Sequence, residues 1–262
     1  MKLAIVSDLH LEIWRDKFPE IDYEDADVVC FLGDIATGSD EFDYISHVQS
    51  LKEGRSCIYV PGNHEYYKHD YDETRLAIHA AFRAHPHVHY VDEDAVQLHG
   101  YTFAGATLWT DYKLGKTAQP TCMAMAAYGM NDHRLIRKDG RVFSPADALE
   151  INQRSKKFLF DLLDDIDDPN RCIFLTHHAP TGHAVAPKFA GDALNGAFCN
   201  DWGDLIEEKG PHIWAYGHTH TDIDVECGNT RIVSRQLGYP RETYSRTGAG
   251  FAPLFIELED VA

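Results

Sequence analysis

The run Cys57-Ile58-Tyr59-Val60-Pro61-Gly62-Asn63-His64-Glu65 joins a short apolar strand to a polar turn. Gly62 lets the backbone turn sharply and approach a ligand, the Asn63 amide oxygen is a neutral hard ligand, and His64 can carry a proton near neutral pH. Taken alone, Asn-His after a strand is an ordinary polar turn. Four other apolar runs end in the same manner: Leu3 to Val6 before Ser7-Asp8-Leu9-His10, Val28 to Leu32 before Gly33-Asp34, Cys172 to Leu175 before Thr176-His177-His178, and Ile213 to Tyr216 before Gly217-His218-Thr219-His220. Repetition of one design, a buried strand delivering metal-ligating side chains from its end, points to an α/β architecture whose site lies along one edge.

The 262 residues suit one large α/β domain, expected to span 1–262. Hydrophobic residues at 44% and charged residues at 25% match an ordinary globular chain and set disorder aside. A formal charge of −18 opposes any function that wraps a long nucleic acid, while leaving room for a small phosphate compound drawn to a local cationic site. The six cysteines are dispersed without a C-x-x-C pair, several of them inside strand-like runs, and are expected to be buried free thiols. With no signal-peptide core, no apolar stretch near 18 residues and no N-x-S/T sequon, the expected location is cytoplasmic, with no membrane role; the sequence leaves the oligomeric state open.

Along the chain, Asp40 to Leu51 has helical spacing, Asp72 to Ala84 reads as a covering helix, and Val88 to Val91, Ala95 to Leu98 and Tyr101 to Ala104 suggest antiparallel additions to the sheet. His64 and His69 are five apart, which rejects an H-E-x-x-H zinc helix. From Trp109 to Val142 periodicity disappears, and the stretch collects Trp109, Asn131, Arg134 and other polar or aromatic groups expected to shape a binding site. Ser144-Pro145 opens the clearest helix, with an apolar stripe from Ile151 to Ile166. A helix is expected over 200–209. Asp222 to Val225, Arg231 to Ser234 and Leu254 to Leu258 read as hairpin and edge strands.

The strand ends together offer Asp8, His10, Asp34, Asn63, His177 or His178, His218 and His220. That is too many ligands for one ion, but two first-row transition ions sharing a carboxylate, most simply Asp34, use them all. The mixture of carboxylate, amide and imidazole suits Mn²⁺, Fe or Zn²⁺ rather than a thiolate zinc site or an all-oxygen calcium or magnesium site. G-x-S-x-G, Walker A and G-x-G-x-x-G sequences are absent, so acyl transfer, nucleotide cradling and dinucleotide binding lack their parts.

In this order, Asp8-x-His10, Gly33-Asp34, Gly62-Asn63-His64-Glu65, Thr176-His177-His178 and Gly217-His218-x-His220 resemble the calcineurin-like metallophosphoesterase family over essentially the whole chain. The resemblance implies a four-layer α-β-β-α sandwich of mixed sheets with a dinuclear site at the strand C-terminal ends. It implies that Asp8, His10, Asp34 and His220 hold one ion, that Asp34, Asn63, His177 and His218 hold the other, and that His64 is the proton donor. His177, first past its strand, is favoured over His178, which would then face substrate together with Trp109, Asn131 and Arg134. Ile35-Ala36 after Asp34, in place of a tyrosine ligand, separates the chain from purple acid phosphatases. Gly105 to Asp111 and Met130-Asn131-Asp132 resemble small stand-alone bacterial members.

The reaction implied is phosphoester hydrolysis by a metal-bridging hydroxide, with His64 protonating the departing alkoxide. A small or cyclic nucleotide-like phosphodiester is the preferred substrate, because a histidine donor aids an alkoxide and no basic cluster awaits a dianionic monoester. A phosphomonoesterase acting on small molecules or phosphoproteins is the alternative, and the Trp109 to Val142 and Gly182 to Asn200 stretches would decide between them. A non-catalytic scaffold of the same fold would have lost ligands, whereas every position here is filled.

Overall fold

The structure, a computed structural model, describes residues 1–14, 18–37, 40–242 and 250–259. Its strands in chain order are β1 (Lys2–Val6), β2 (Val28–Leu32), β3 (Ser56–Val60), β4 (Val88–Tyr90), β5 (Asp94–Leu98), β6 (Tyr101–Ala106), β7 (Arg137–Lys138), β8 (Arg141–Val142), β9 (Cys172–Thr176), β10 (Ile213–Tyr216), β11 (Asp224–Cys227), β12 (Thr230–Ser234) and β13 (Leu254–Glu257). The helices are α1 (Leu11–Trp14), α2 (Asp40–Ser50), α3 (Tyr71–Phe82), α4 (Gln119–Gly129), α5 (Asp132–Leu135), α6 (Pro145–Asp165), α7 (Asn195–Phe198) and α8 (Gly203–Glu208).

One sheet runs β13-β1-β2-β3-β4, and β1 to β4 are parallel. The other runs β11-β12-β10-β9-β6-β5, and β12, β10, β9 and β6 are parallel. Side-chain alternation along each strand then builds the layers. Leu3, Ile5, Cys30 and Ile58 of the first sheet meet Phe103, Ile173, Leu175 and Ala215 of the second in a shared core. Val29, Phe31, Cys57 and Tyr59 point the other way, onto Ile45 and Val48 of α2 and Ile78 and Phe82 of α3. Ala104, Phe174, Trp214 and Ile232 point outward from the second sheet onto Leu159, Phe160 and Leu163 of α6 and Ile206 of α8. Every residue of β2, β3, β9 and β10 is therefore buried, which is why these strands are apolar without alternation. The result is the expected α-β-β-α sandwich.

α6 begins as its sequence predicts: Ser144 Oγ accepts from Asp147 N, the Asp147 carboxylate accepts from Ser144 N, and Pro145 opens the first turn. All six cysteines are buried free thiols. Two expectations are corrected. β4 pairs parallel to β3 because α3 carries the chain back between them, so only β5 and β6 form the expected antiparallel hairpin on this side. β11 and β12 form the expected hairpin with β11 at a sheet edge, and β13 is the expected edge strand, paired with β1 of the other sheet. The stretch after Trp109 contains α4, α5 and the β7-β8 ribbon; α4 buries little beyond Cys122 and Ala126, so no apolar stripe marks it. Among the described residues, no helix is long and apolar enough to cross a membrane.

Candidate metal centre

β1, β2 and β3 run parallel to one another in one sheet and β9 and β10 in the other, and their C-terminal ends share one edge of the sandwich. Asp8 and His10 follow β1, Asp34 follows β2, Asn63 and His64 follow β3, His177 and His178 follow β9, and His218 and His220 follow β10. The turns that present them are tight. Asp8, His10, Asp34, His218 and His220 all adopt left-handed backbone conformations, with φ between 48° and 72°, a geometry that non-glycine residues hold only where surroundings enforce it. A methyl group on Gly62 would fall 2.2 Å from Asp34 Oδ1, so glycine is what allows this turn to lie against Asp34.

Glu65 locks the same turns from beneath. Its buried carboxylate accepts from Gly62 N at 2.8 Å, Asp34 N at 3.1 Å and Ile35 N at 2.9 Å. The sheets are tied to each other at this edge as well: His177 Nδ1 donates to Leu32 O at 2.9 Å, and His218 N donates to the Asp8 carboxylate at 3.0 Å.

The donor atoms converge in overlapping groups, Asp8-His10-His220, His10-Asp34-His64 and Asp34-His177-His218, each with ligating atoms within 4.8 Å of one another. His10 Nε2 lies 3.0 Å from His220 Nε2, and His177 Nε2 lies 3.2 Å from His218 Nδ1. Asp34 stands between these pairs, with Oδ1 3.4 Å from His177 Nε2 and Oδ2 3.9 Å from His10 Nε2. Asn63 Oδ1 completes the second group, 2.9 Å from His177 Nε2 and 3.1 Å from His218 Nδ1. Buried imidazole nitrogens and carboxylate oxygens aimed at common points fit divalent transition cations.

Electrostatics favour cation binding at three of the site histidines, whereas, against burial, the carboxylates of Asp8 and Glu242 push His220 up to about 10. Burial lowers the pKa of His10, His177 and His218, keeping them neutral with lone pairs available. Although burial opposes it, the His220 hydrogen bond holds Asp8 well below the usual carboxylate range. Burial raises Asp34, against the pull of His64 and His10. Against burial, the carboxylates of Asp34 and Glu12 push His64 up to about 9.

His64 lies beside these groups with its own partners. Nδ1 is 3.1 Å from Glu12 Oε1, Nε2 is 3.3 Å from the Tyr239 hydroxyl, and the ring packs on Tyr67. His178 is placed differently: its Nδ1 donates to Thr107 O at 3.0 Å, and its ring sits between Trp109 and His218. His178 and Trp109, both expected to face substrate, are buried and stack beside His218 rather than lining the cleft. Asn131 and Arg134, by contrast, lie on the cleft surface.

That cleft, about 570 Å³, opens over Asp34, Asn63, His64, His218 and His220. Met130, Val185, Phe189, Leu194 and Phe198 give it an apolar flank, and Arg134, Lys188, Asp132, Asp192 and Glu242 supply charge. Several of its parts escape sequence reasoning. Asp132 Oδ1 accepts from Asn63 Nδ2 at 2.8 Å and from the Tyr67 hydroxyl at 2.8 Å, which turns the Asn63 oxygen toward the histidines. Gln236 Oε1 accepts from His220 N at 2.5 Å, and Glu242 Oε2 lies 2.5 Å from His220 Nδ1. Glu12, two residues past His10, and Asp132, beside Asn131, carried a positional signal; nothing around 236–242 did.

Residues 1–222 match the family described as calcineurin-like phosphoesterase. An uncharacterized protein of Acanthamoeba polyphaga mimivirus is 27% identical over 273 residues, covering 92% of each chain. Among solved structures, the phosphopantetheinyl hydrolase of Mycobacterium tuberculosis superposes with a TM-score of 0.71 at 17% identity, over 97% of this chain and 95% of that one. The protein TT1561 of Thermus thermophilus gives 0.48 at 18% identity, over 92% and 90%.

Proposed function

The chain belongs to the calcineurin-like phosphoesterase family and is a metal-dependent phosphoester hydrolase; on that premise we propose that it is a phosphodiesterase acting on a small diester at two divalent transition ions. One ion would be held by Asp8, His10, Asp34 and His220, the other by Asp34, Asn63, His177 and His218. Support for a pair comes from Asp34, whose two oxygens face the two histidine pairs. Bound there, Mn²⁺, Fe or Zn²⁺ would stabilise charge on the phosphoryl oxygens and make water a competent nucleophile.

The chain's own groups do the rest. Glu12 fixes the Nδ1 side of His64, leaving Nε2 to face the cleft and give a proton to the departing oxygen. Asp132 holds the Asn63 amide with its oxygen inward. The diester preference rests on the charge of the cleft: among the described residues, its carboxylate and basic side chains outside the ligand and proton-donor sets are Asp132, Asp192 and Glu242 against Arg134 and Lys188. An acidic balance suits a monoanion better than a dianionic monoester. The apolar flank would receive one ester arm, for which a nucleoside is the first candidate and a pantetheine-like arm, by analogy with the substrate named for the Mycobacterium tuberculosis enzyme, the second. In this reading residues 1–262 form one domain, and six buried, unpaired cysteines favour the cytoplasm.

The test is a panel on metal-loaded protein: bis(4-nitrophenyl) phosphate and 2′,3′-cyclic AMP as diesters, 4-nitrophenyl phosphate and glycerol phosphate as monoesters. A kcat/KM higher for the diesters is expected. Faster cleavage of the monoesters would overturn the preference and leave a phosphomonoesterase.

A further inference from the structure

The matched family region ends at residue 222, yet the segment from Gln236 to Glu242 reaches back into the centre of the site. It is pinned there by its backbone: Leu237 N donates to Ser7 O at 3.1 Å, Gly238 N to Asp8 O at 3.0 Å, and Tyr239 N to Glu242 Oε2 at 3.0 Å. The consequence is the placement of Tyr239. Its ring centroid lies 4.6 Å from that of His10, 4.6 Å from His220 and 6.2 Å from His64, and its hydroxyl is 3.3 Å from His64 Nε2. One phenol thus leans over three site histidines.

We propose that Tyr239 is a catalytic residue whose hydroxyl donates a hydrogen bond to the ester oxygen leaving phosphorus, alongside His64. The inference rests on the hydrolase reading above, with His64 as proton donor. Nδ1 of His64 is engaged by Glu12, so the leaving oxygen must come to Nε2, and an oxygen within about 3 Å of that nitrogen lies beside the hydroxyl that already contacts it. In the step itself, water oxygen bonds to phosphorus and releases one proton to bulk solvent, and the phosphorus–oxygen ester bond breaks. The electron pair remains on the leaving oxygen, which takes the proton from His64 Nε2, while the phenol keeps its own proton and only shares it in a hydrogen bond. A donor aimed at charge that appears in the transition state is typically worth about 10²- to 10³-fold in rate.

Tyr239→Phe removes that donor and keeps the ring against the histidines. The experiment compares metal-loaded wild type and Tyr239→Phe on the same two ester pairs, with metal content and Tm measured on both proteins. Expected is a loss of about 10²-fold on the alkoxide-leaving member, 2′,3′-cyclic AMP or glycerol phosphate, and about threefold or less on the nitrophenyl member, whose leaving oxygen hardly needs help. Metal content and Tm should stay at wild-type values. In the His64→Ala background the same substitution should cost less than it does alone, since the two donors serve one oxygen. Equal losses on both members of a pair, a fall in metal content, or full additivity with His64→Ala would each overturn the assignment. A wild type that cleaves only the monoester pair overturns the diester preference alone, because that pair still varies the leaving group and decides the role of Tyr239.

Discussion

The turns at the strand ends and the walls of the cleft above them meet at the same histidines but are built to different standards. At the turns, Asp8, His10, Asp34, Asn63 and His177 are buried, the backbone of Asp8, His10 and Asp34 is left-handed, and Gly62 lies close against Asp34. The walls, from Met130 to Arg134, from Ala184 to Phe198 and from Tyr239 to Glu242, mix exposed apolar rings with opposite charges and short helical turns. The contrast separates two tasks. Rigid turns would set which cations and which reaction are possible, and the walls would select what is brought to them.

The comparison breaks most visibly at Asp34. Asp34→Asn is expected to lose bound metal and at least about 10³-fold of activity, because the carboxylate facing both histidine pairs goes. Elemental analysis should find two transition ions per wild-type chain and fewer in the variant; at most one tightly held ion in active wild-type protein would refute the shared carboxylate.

His64 sits at the border of the two regions. His64→Ala should keep both ions yet lose about 10²- to 10⁴-fold on an alkoxide-leaving ester, with a much smaller loss on a nitrophenyl ester. Missing metal in the variant would move His64 into the ligand set, which its place in the His10-Asp34-His64 group makes a direct alternative.

Asp132 tests whether a wall residue can reach into the rigid part. With the acceptor of Asn63 Nδ2 removed, Asp132→Ala should weaken metal affinity by about 10- to 100-fold, measured by titration against a competing chelator. Unchanged affinity would mean that Tyr67, 3.0 Å from the same nitrogen, suffices to hold the amide.

The smallest effect lies away from the site, at the start of α6. Arg141 and Ser144 hold the Asp147 carboxyl below its ordinary range despite burial. A lowered folded-state pKa stabilises above the unfolded value and is lost as pH falls through the carboxylate range. Asp147→Asn should therefore cost about 1 kcal/mol at pH 7, with the gap to wild type closing below about pH 4 in urea melts.

How much of this was legible follows from the same contrast. β2, β3, β9 and β10 are apolar throughout because both faces are covered, so the strands and the ligands just beyond them stand out in sequence. His177, rather than His178, falls in the donor cluster, as its position directly past β9 suggests. The walls were opaque for physical reasons. α4 buries mainly Cys122 and Ala126 and carries no stripe, and Asp132 acts through Asn63, a contact 69 residues away in the chain. Tyr239 and Glu242 arrive only because the chain after β12 folds back along β1, a tertiary event that no local pattern encodes.

Asp8, His10, Asp34 and Asn63 extend from one sheet, and His177, His218 and His220 from the other, so the cations would clasp the two halves of the sandwich. A clasp of this kind binds the folded chain and has little to hold in the unfolded one. At free metal about 1,000 times the dissociation constant, each ion would add about 4 kcal/mol to stability, a large share of what a domain has. Metal supply would then govern how long each molecule survives in the cell, and starvation for metal would be felt first as proteolysis and only afterwards as slow turnover.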